Sequence, residues 1–531
     1  MDFDYVIVGG GSAGSVLAGR LSVDPSVRVC LIEAGPPDDH VMCRVPFGLV
    51  AFVPNKWRNW AFETEPQPAL NGRRGYQPRG RMLGGSSGIN AMVYIRGHAG
   101  DYDDWAAQGA KGWSFADVLP YFKRAEGNER LGGELHGRAG PLNVADLVSP
   151  NPINEVFLAA CDQLQLPRNA DFNSATQEGV GLYQVTQKNG ERWSAARAYL
   201  PEAARIRPNL RIATGTQALR LRLSGKKATG VVCRHGKGAE ETINARRAVV
   251  LSAGAFQTPQ LLLLSGIGPG AELQRHGIAV EHELPGVGQN LQDHVDFTLL
   301  YKAKSQHLFG ITAGGLARLP REIMRWRRHR TGLLTTNFAE AGGFLRTDPA
   351  QLRPEIQLHF VVGLVDDHAR KKHFCTGYSL HVCVLRPKSR GSVGLRDANP
   401  LSAPRIDPQY LSHADDMEAL LKGVKVGRRI MDAPPFLSLA PAELYTQGVR
   451  DDAGLREQIR QRADTIYHPV GSCRMGAVDD PGAVVDPSLK VRGLDGLYVV
   501  DASVMPSLIG GNTNAPTIMI AEKAVDMLRA A

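Results

Sequence analysis

Residues 4–35 read DYVIVGGGSAGSVLAGRLSVDPSVRVCLIEAG, and in them a glycine-rich turn separates two short apolar runs. Both runs, Tyr5–Val8 and Val29–Ile32, are typical of strands buried in a parallel sheet. Between them, Ser15–Leu21 predicts a helix. The turn has the spacing G-x-G-x-x-G, formed by Gly9, Gly11 and Gly14. A strand, a glycine turn, a helix and a second strand in this order predict a βαβ unit.

The same unit has the features of a dinucleotide-binding site. Gly9 permits the tight turn, Gly11 lets the backbone approach a pyrophosphate, and Gly14 lets the helix lie close to the strand. The pyrophosphate would meet unpaired N–H groups at the N-terminus of the helix. Glu33 follows the second strand, nineteen residues after Gly14, and its carboxylate would accept hydrogen bonds from the adenosine ribose. These features predict FAD or NAD, and the spacing alone does not choose between them.

The composition is that of a folded globular protein. The chain has 531 residues, 43% hydrophobic and 22% charged, which excludes a disordered chain and a coiled coil. Its length predicts about two to four structural units. Glycine makes up 58 of the 531 residues, a larger share than the usual value of about 7%. This excess predicts many turns and close backbone approaches. The net charge of +9 permits an acidic partner, such as nucleic acid or anionic lipid, without requiring one.

The cysteines and the N-terminus predict a protein of the reducing cytoplasm. Seven cysteines without any C-x-x-C spacing favour free thiols over a disulfide framework or a zinc site. The N-terminus lacks the basic and apolar regions of a signal peptide. Residues 248–271 carry no charge, but glycines, Pro259 and polar side chains interrupt them. A strand over Ala248–Leu251 and a buried helix over Pro259–Leu264 fit this segment better than a membrane span.

Further motifs choose between the two dinucleotides. They are GRMLGGSSGIN at residues 80–90, GAFQTPQLLLLSGIGP at 254–269, HPVGSCRMG at 468–476, VDAS at 500–503 and GNTNAPT at 511–517. Together with the glycine turn, and in this order along nearly the whole chain, they resemble the glucose–methanol–choline family of FAD-dependent oxidoreductases. The resemblance implies an FAD cofactor and an alcohol substrate.

The resemblance also implies a two-domain architecture. An α/β, Rossmann-like FAD-binding domain would be discontinuous, and the substrate-binding domain would be an α+β unit built on an antiparallel sheet flanked by helices. The FAD-binding domain would take residues 1–150, 205–300 and 460–531, and the substrate-binding domain would take 151–204 and 301–459. Apolar runs at Ile356–Val362 and Tyr378–Leu385 suit strands of that sheet, and Asp415–Met431 predicts an amphipathic helix.

The activity implied is FAD-dependent oxidation of a primary alcohol to an aldehyde, with hydride transfer to flavin N5 and electrons passed to a quinone or another non-oxygen acceptor. Segments 181–200 and 466–476 resemble bacterial membrane-associated primary alcohol dehydrogenases in particular. Choline, sorbose-type sugar and polyethylene-glycol dehydrogenases resemble the chain too. An alcohol oxidase that uses oxygen, a hydroxynitrile lyase and an NAD-dependent dehydrogenase are further alternatives.

By the same resemblance, His468 is the catalytic base and faces the flavin beside Asn514. A neutral imidazole is available near pH 7 to take the hydroxyl proton. Asn514 would hydrogen-bond the alcohol oxygen, with Asn512 as a supporting turn residue. Glu340 resembles a carboxylate that either orients His468 or faces a cationic substrate such as choline. We expect structural roles for three other histidines, His98, His136 and His294.

The cofactor would contact both the N-terminal and the C-terminal motifs. Ile89 stands where some relatives carry a histidine that bonds FAD covalently, so we expect non-covalent FAD. The C-terminal helix, which opens at Ala515-Pro516-Thr517, would direct its N-terminus at the flavin. We expect no metal site. The expected cofactor-binding residues are Gly9, Gly11, Ser12, Ala13, Gly14, Glu33, Ala34, Arg81, Gly84, Gly85, Asn90, Ala91, Met92, Val93, Ala218, Asp501, Ala502, Asn514, Pro516 and Thr517.

Residues 316–330 are the most basic segment, with six arginines and one glutamate. Pro320 predicts the start of a short helix that carries Ile323, Met324 and Trp326. Such a helix fits a lid over the substrate entrance or a peripheral contact with the inner face of the bacterial cytoplasmic membrane. No nucleic-acid-binding motif accompanies it, so we expect no nucleic-acid partner. The oligomeric state stays open.

Overall fold

The computed structural model describes residues 2–531, which form two seven-stranded sheets with helices packed against both. The first sheet contains the predicted βαβ unit, in which Asp2–Val8 and Val29–Ile32 pair in parallel. Every side chain of Val29–Ile32 is buried, as expected for a strand covered on both faces. In spatial order the first sheet runs Leu210–Ala213, Val29–Ile32, Asp2–Val8, Glu240–Leu251, Lys227–His235 and Thr216–Ser224, with Leu497–Val499 also paired to Glu240–Leu251.

The second sheet is antiparallel throughout, which confirms the expected architecture. Helix Ala414–Met431 packs against strand Gly377–Val384 of this sheet through a stripe of buried apolar side chains. In spatial order the strands are Ala442–Leu444, Val295–Lys302, Gly377–Val384, Ile356–Val361, Ala339–Leu345 and Gly179–Leu182, with Asp464–Thr465 also paired to Val295–Lys302.

Helices, 3₁₀ turns and two-stranded sheets complete the fold. The helices are Ser12–Leu21, Leu49–Phe52, Ala99–Ala107, Phe115–Ala125, Ile153–Gln163, Ala195–Tyr199, Glu202–Arg205, Gly254–Leu264, Gly270–Arg275, Ala313–His329, Ala414–Met431, Pro434–Leu437, Asp452–Arg462 and Asn514–Ala530. The 3₁₀ turns are Val41–Cys43, Pro46–Gly48, Pro68–Leu70, Gly85–Gly88, Leu333–Thr335 and Ala502–Val504. The two-stranded sheets pair Ile267–Gly268 with His282–Glu283, Ser392–Gly394 with Arg405–Asp407, Phe62–Glu63 with Tyr76–Gln77, Glu126–Asn128 with Leu142–Val144, and Gln187–Lys188 with Glu191–Arg192.

The chain crosses between the two sheets at points that differ from the expected boundaries. Val295–Lys302 belongs wholly to the second sheet, so the expected boundary at residue 300 falls inside a strand. Asp464–Thr465 also joins the second sheet, although 460–531 was expected in the FAD-binding domain. Helix Ala195–Tyr199 packs on helix Ser12–Leu21 in the core beside the first sheet, although 151–204 was expected in the substrate-binding domain. Apolar runs mark strands but do not show which sheet a strand joins.

Two helices are longer than expected, and each contains a proline. Gly254–Leu264 begins five residues before Pro259, whose missing N–H leaves the carbonyl of Ala255 without its helical partner. Ser472 Oγ donates to that carbonyl at 2.6 Å, so the helix tolerates the proline. Ala313–His329, which we call the arginine helix, begins seven residues before Pro320 rather than at it. The carbonyl that Pro320 cannot pair belongs to Leu316, which is 63% exposed, so water can satisfy it.

Other features concern cysteines, metals and membranes. All seven cysteines are free, and six of them are buried. Among residues 2–531, no cluster of three or more acidic, histidine or cysteine side chains could hold a metal ion. Within the same range, no helix has both the length and the apolar character to cross a membrane.

Replacing Gly14 by alanine should destabilise the packing of helix Ser12–Leu21 on the first sheet. A Cβ at Gly14 would lie 1.9 Å from the carbonyl oxygen of Gly9, so the helix would have to move away from the turn. We expect a loss of about 1–3 kcal/mol, measured by thermal or denaturant unfolding. Gly314→Ala is the matched control, because its Cβ would meet no atom within 4 Å and alanine favours the helix. Equal stability of the two variants would contradict the close-contact role of Gly14.

Candidate active site

A cavity of about 660 Å³ extends from the glycine turn to side chains of the second sheet. Its volume is within the range of about 300–1,000 Å³ that is typical of ligand sites. Most of the expected cofactor-binding residues line it. They are Gly9, Gly11, Ser12, Ala13, Glu33, Ala34, Gly85, Asn90, Ala91, Met92, Val93, Ala218, Asp501, Ala502, Asn514 and Thr517.

Four expected cofactor-binding residues do not line the cavity. Gly14 instead packs against the carbonyl of Gly9, and Gly84 donates its N–H to the carbonyl of Gly10 at 2.7 Å. The guanidinium of Arg81 lies over the ring of Trp60, 4.7 Å from its centroid. Pro516 is buried in the first turn of the C-terminal helix. These residues shape the cavity wall from behind, which a linear motif cannot distinguish from direct contact.

The glycine turn forms a cradle of the size and chemistry that a dinucleotide needs. A Cβ at Gly11 would meet only Gly85 Cα, at 4.0 Å, and would therefore occupy cavity space. Helix Ser12–Leu21 begins at Gly11 with no side-chain cap and no acidic residue in its first turn. The C-terminal helix begins after Thr513 with the same two features. Two helix N-termini with unpaired N–H groups border one cavity and suit bound anions such as phosphate oxygens.

Glu33 lines the cavity where the ribose of a dinucleotide is expected. Its Oε2 accepts a hydrogen bond from the N–H of Gly10 at 2.9 Å, and its Oε1 accepts one from Gly35 at 2.7 Å. Burial raises the pKa of this carboxyl to about 7, against the opposing effect of the two N–H groups. The carboxylate is therefore held in place by the turn before any ligand arrives.

His468 lies at the opposite end of the cavity, held by both its backbone and its ring. It follows the short strand Asp464–Thr465, and its N–H donates to the carboxylate of Asp293 at 2.8 Å. Its ring Nδ1 lies 2.9 Å from Nδ1 of His294, and its Nε2 lies 3.2 Å from Nδ2 of Asn512. Both nitrogens of the ring are thus fixed in direction.

The hydrogen bonds around His468 determine which nitrogen carries its proton. His294 Nε2 lies 3.0 Å from the carbonyl oxygen of Leu385, which can only accept, so His294 Nε2 carries a proton. Burial lowers the pKa of His294 to about 4, so its Nδ1 is an unprotonated acceptor. His468 must then donate from Nδ1. Burial lowers the pKa of His468 well below its usual value, with nearby Arg79 acting in the same direction, so His468 is neutral and its Nε2 is unprotonated.

Asn512, not Asn514, lies beside His468, which corrects the expected pairing. Gln357 Nε2 donates to Asn512 Oδ1 at 3.1 Å and so turns the amide nitrogen of Asn512 toward His468. Asn514 is the first residue of the C-terminal helix, and its Oδ1 accepts from Ser12 Oγ at 2.7 Å. Asn514 therefore lies at the glycine turn.

Glu340 does not reach the cavity, which corrects its expected role. It is 1% exposed, and its carboxylate accepts hydrogen bonds from Asn151 N, Asn154 Nδ2 and Thr336 Oγ1 at 2.5–2.7 Å. The side chain that orients His468 is His294.

Sequence reasoning missed the roles of His294, Gln357 and His359 at this site. His294 ends the polar run Gln292-Asp293-His294 directly before a buried strand, which was the one local signal of its role. His359 lines the cavity, its Nδ1 has no hydrogen-bond partner among residues 2–531, and burial lowers its pKa to about 3. His98 caps helix Ala99–Ala107, and His136 bridges Glu126 and Asp171, so the structural roles expected for these two are confirmed.

Two family descriptions match the chain, and both are "GMC oxidoreductase". The N-terminal one matches residues 3–296 and the C-terminal one matches residues 387–521.

Full-length relatives agree with these matches. The chain is 48% identical over 530 residues to the alcohol dehydrogenase [acceptor] of Pseudomonas putida, covering 99% of the chain and 95% of the relative. It is 42% identical over 539 residues to human mitochondrial choline dehydrogenase, covering 99% and 90%. Among solved structures, pyridoxine 4-oxidase from Mesorbium loti matches with a TM-score of 0.89 and 33% identity over 100% of this chain and 99% of the other. Formate oxidase from Aspergillus oryzae matches with a TM-score of 0.91 and 27% identity over 100% and 98%.

Proposed function

The chain belongs to the GMC oxidoreductase family of FAD-dependent enzymes that oxidise alcohols, and on that premise we propose that it converts a primary aliphatic alcohol to the aldehyde. We propose further that the electrons pass to a quinone or another acceptor in place of oxygen. The observation that carries the proposal is the lone pair of His468 Nε2, which faces Asn512 at the end of the cavity.

His468 acts as the base in this proposal. Its Nε2 takes the hydroxyl proton, and a positioned base of this kind is worth about 10²–10⁴-fold in rate. Asn512 Nδ2 carries a second N–H, which can donate to the alcohol oxygen and hold it beside the base. FAD, when bound, supplies the acceptor for the hydride of the α-carbon. His294 Nδ1 accepts a hydrogen bond from the Nδ1–H of His468. The lone pair of His468 is therefore on Nε2, on the other side of the ring from His294.

The cavity walls favour an aliphatic chain. Three phenylalanines that line the cavity, Phe47, Phe309 and Phe338, contact one another with ring centroids 5.0–5.6 Å apart. The carboxylates that line the cavity within residues 2–531 are Glu33 and Asp501, both among the expected cofactor-binding residues. A trimethylammonium group would therefore meet no carboxylate beside His468.

Choline is the second candidate. The 42% identity to a choline dehydrogenase favours it, and the three phenylalanine rings offer faces to which a quaternary ammonium binds. The missing carboxylate is the reason that we place it second.

The FAD is proposed to be bound without a covalent link. Ile89 lines the cavity at the position where some relatives bond the flavin, and its side chain has no nucleophilic atom. Acid precipitation of the holoenzyme should leave all of the yellow colour in the supernatant. Colour retained in the pellet would contradict this.

An anaerobic titration tests the proposed function. Addition of 1-alkanols to the holoenzyme should bleach the flavin absorbance, because the substrate reduces the bound cofactor. Choline, sugars and glycols should bleach it at least about tenfold more slowly at equal concentration. Admission of air should restore the colour slowly compared with a quinone, whereas rapid restoration would indicate an oxidase. Bleaching by choline alone would overturn the proposed substrate, and no bleaching by any alcohol would favour a non-redox lyase.

Three alanine variants separate the roles of the site residues. His468→Ala should keep FAD bound and slow bleaching by at least about 10²-fold. Asn512→Ala should slow bleaching as well, because it removes the donor beside Nε2. Asn514→Ala is the matched control, since the same change two residues later removes a contact to Ser12 at the cofactor end. Slower bleaching in Asn514→Ala than in Asn512→Ala, with FAD retained, would support the expected pairing of His468 with Asn514.

We propose that the arginine helix, Ala313–His329, contacts a membrane surface from which a quinone is reached. Its apolar side chains Leu316, Leu319, Ile323 and Met324 are 41–63% exposed, among six arginines of the surrounding segment. The buried Trp326 anchors it, donating from Nε1 to the carbonyl of Gly190 at 2.9 Å. Residues 309–311, just before the helix, line the cavity, so the helix begins two residues beyond the cavity wall. A lid over the substrate entrance is the alternative role.

Vesicle sedimentation tests the membrane contact. The holoenzyme should sediment with phosphatidylglycerol vesicles and much less with phosphatidylcholine vesicles. Replacing Arg321 and Arg325 by glutamine should weaken binding by at least about tenfold, since each basic residue near an anionic surface is worth about 1 kcal/mol. Arg220→Gln with Arg222→Gln is the matched control on an exposed strand of the first sheet. Equal binding of the two double variants would leave the helix as a lid only.

A further inference from the structure

Tyr467, the residue directly before His468, has a backbone conformation that is unusual for a residue with a side chain. Its φ is 78°, in the left-handed region where a Cβ crowds the neighbouring carbonyl oxygen. Outside glycine, such a conformation persists only where the surrounding structure enforces it, and it is concentrated at functional sites. Because the direction of the backbone at residue 467 sets the starting point of the His468 side chain, the contacts that enforce this conformation also determine where the imidazole lies.

Three side chains hold the backbone of Tyr467 and His468. The N–H of Tyr467 donates to Thr465 Oγ1 at 2.7 Å, and its carbonyl accepts from Arg79 Nη1 at 3.0 Å. The N–H of His468 donates to Asp293 Oδ1 at 2.8 Å. Asp293 Oδ2 accepts from Thr465 Oγ1 at 2.6 Å, so two of the three side chains also hold each other. The backbone before the imidazole is thus fixed separately from the contacts of the ring.

A fourth side chain, His368, holds the phenol group of Tyr467 and comes from a distant part of the chain. Its Nδ1 lies 2.7 Å from Tyr467 Oη, and its Nε2 lies 3.2 Å from the carboxylate of Asp464. A carboxylate accepts hydrogen bonds, so Nε2 carries a proton and the neutral imidazole accepts from Tyr467 Oη at Nδ1. The ring of His368 packs against the rings of Tyr76 and Tyr467, with centroids 5.4 Å away in each case. His368 therefore holds both ends of the segment 464–467.

His368 itself belongs to a second strained segment. The three residues 367–369 have φ values of 47°, 56° and 62°, a left-handed run without a glycine. This run begins the loop 367–375, in which Lys371 and Lys372 both line the cavity and are exposed to solvent, so the loop lies where the cavity opens. The hydrogen bond between His368 and the phenol of residue 467 thus joins two strained segments, one at the cavity opening and one beside the imidazole of residue 468.

We propose that His368 and Tyr467 are positioning residues for His468, so that the loop at the cavity opening holds the base in its working direction. This rests on the proposed function, in which His468 is the base. Without the hydrogen bond between His368 and Tyr467, one of the contacts that enforce the left-handed conformation is lost, and the imidazole that follows turns away from Asn512. A misplacement of about 1 Å can slow a reaction by about 10²-fold.

Tyr467→Phe and His368→Phe test the proposal, because each removes the hydrogen bond and keeps an aromatic ring in place. Anaerobic bleaching of the holoenzyme at saturating 1-alkanol measures the limiting rate, which should fall by at least about fivefold in each variant. The double variant should be no slower than the slower single variant, because both changes break the same bond. The ratio of the limiting rates in H₂O and D₂O should rise above the wild-type ratio, since a displaced base slows cleavage of the O–H bond. The dissociation constant of FAD should stay at the wild-type value.

Tyr445→Phe is the matched control. Tyr445 Oη donates to Asp366 Oδ2 at 2.6 Å beside the same loop, but Tyr445 is not among the residues that line the cavity. This variant should keep the wild-type limiting rate and isotope ratio. If His368→Phe does not fold, as judged by circular dichroism, the comparison of Tyr467→Phe with Tyr445→Phe decides.

Three outcomes overturn the proposal alone: a wild-type limiting rate in Tyr467→Phe, an equal loss of rate in Tyr445→Phe, or a double variant slowed by the product of the two single effects. In each of these the wild-type enzyme still bleaches with 1-alkanols, so the proposed function stands. A wild-type enzyme that no alcohol bleaches overturns the proposed function and the positioning role together.

Discussion

The close contact between Gly9 and Gly14 is the constraint on which the rest of the site depends. Because no side chain separates them, helix Ser12–Leu21 lies directly on the first strand and its N-terminus meets the cavity. The C-terminal helix is tied to it at two points, by Ser12 to Asn514 at 2.7 Å and by Arg20 to Glu522 at 2.7 Å. One backbone approach thereby places two uncapped helix N-termini, about 500 residues apart in sequence, at the same cavity.

The His468 end of the cavity is assembled by a series of hydrogen bonds rather than by one motif. The carbonyl of Leu385 orients His294, His294 orients His468, and Asn512 is oriented in turn by Gln357. These residues come from strands of the second sheet and from loops on both sides of it. This series of hydrogen bonds leaves Nε2 of His468 unprotonated at the cavity, which is the requirement for a general base at neutral pH.

The charged side chains are distributed unevenly between the surface and the cavity. The net charge of +9 resides largely in the arginine helix and its neighbours, whereas the cavity holds few charged groups. Within the cavity, the carboxylate of Glu33 is held by the N–H groups of Gly10 and Gly35. The two helix N-termini that border the cavity are fixed by the fold, so they would need no reorganisation to accept an anion.

The sequence by itself determined the βαβ unit, because strand periodicity and glycine turns are local properties. Its motifs also identified the family, and that resemblance implied the antiparallel second sheet and the role expected of His468. Only the tertiary structure decided which side chains meet. Asn512 and Asn514 are two residues apart, yet the helix begins between them, so one faces His468 and the other faces Ser12. Glu340 and His294 changed roles for a similar reason: strand pairing buried the carboxylate among three donors and brought a distant histidine against the base. Side-chain direction depends on backbone angles and long-range packing, and no linear motif records either.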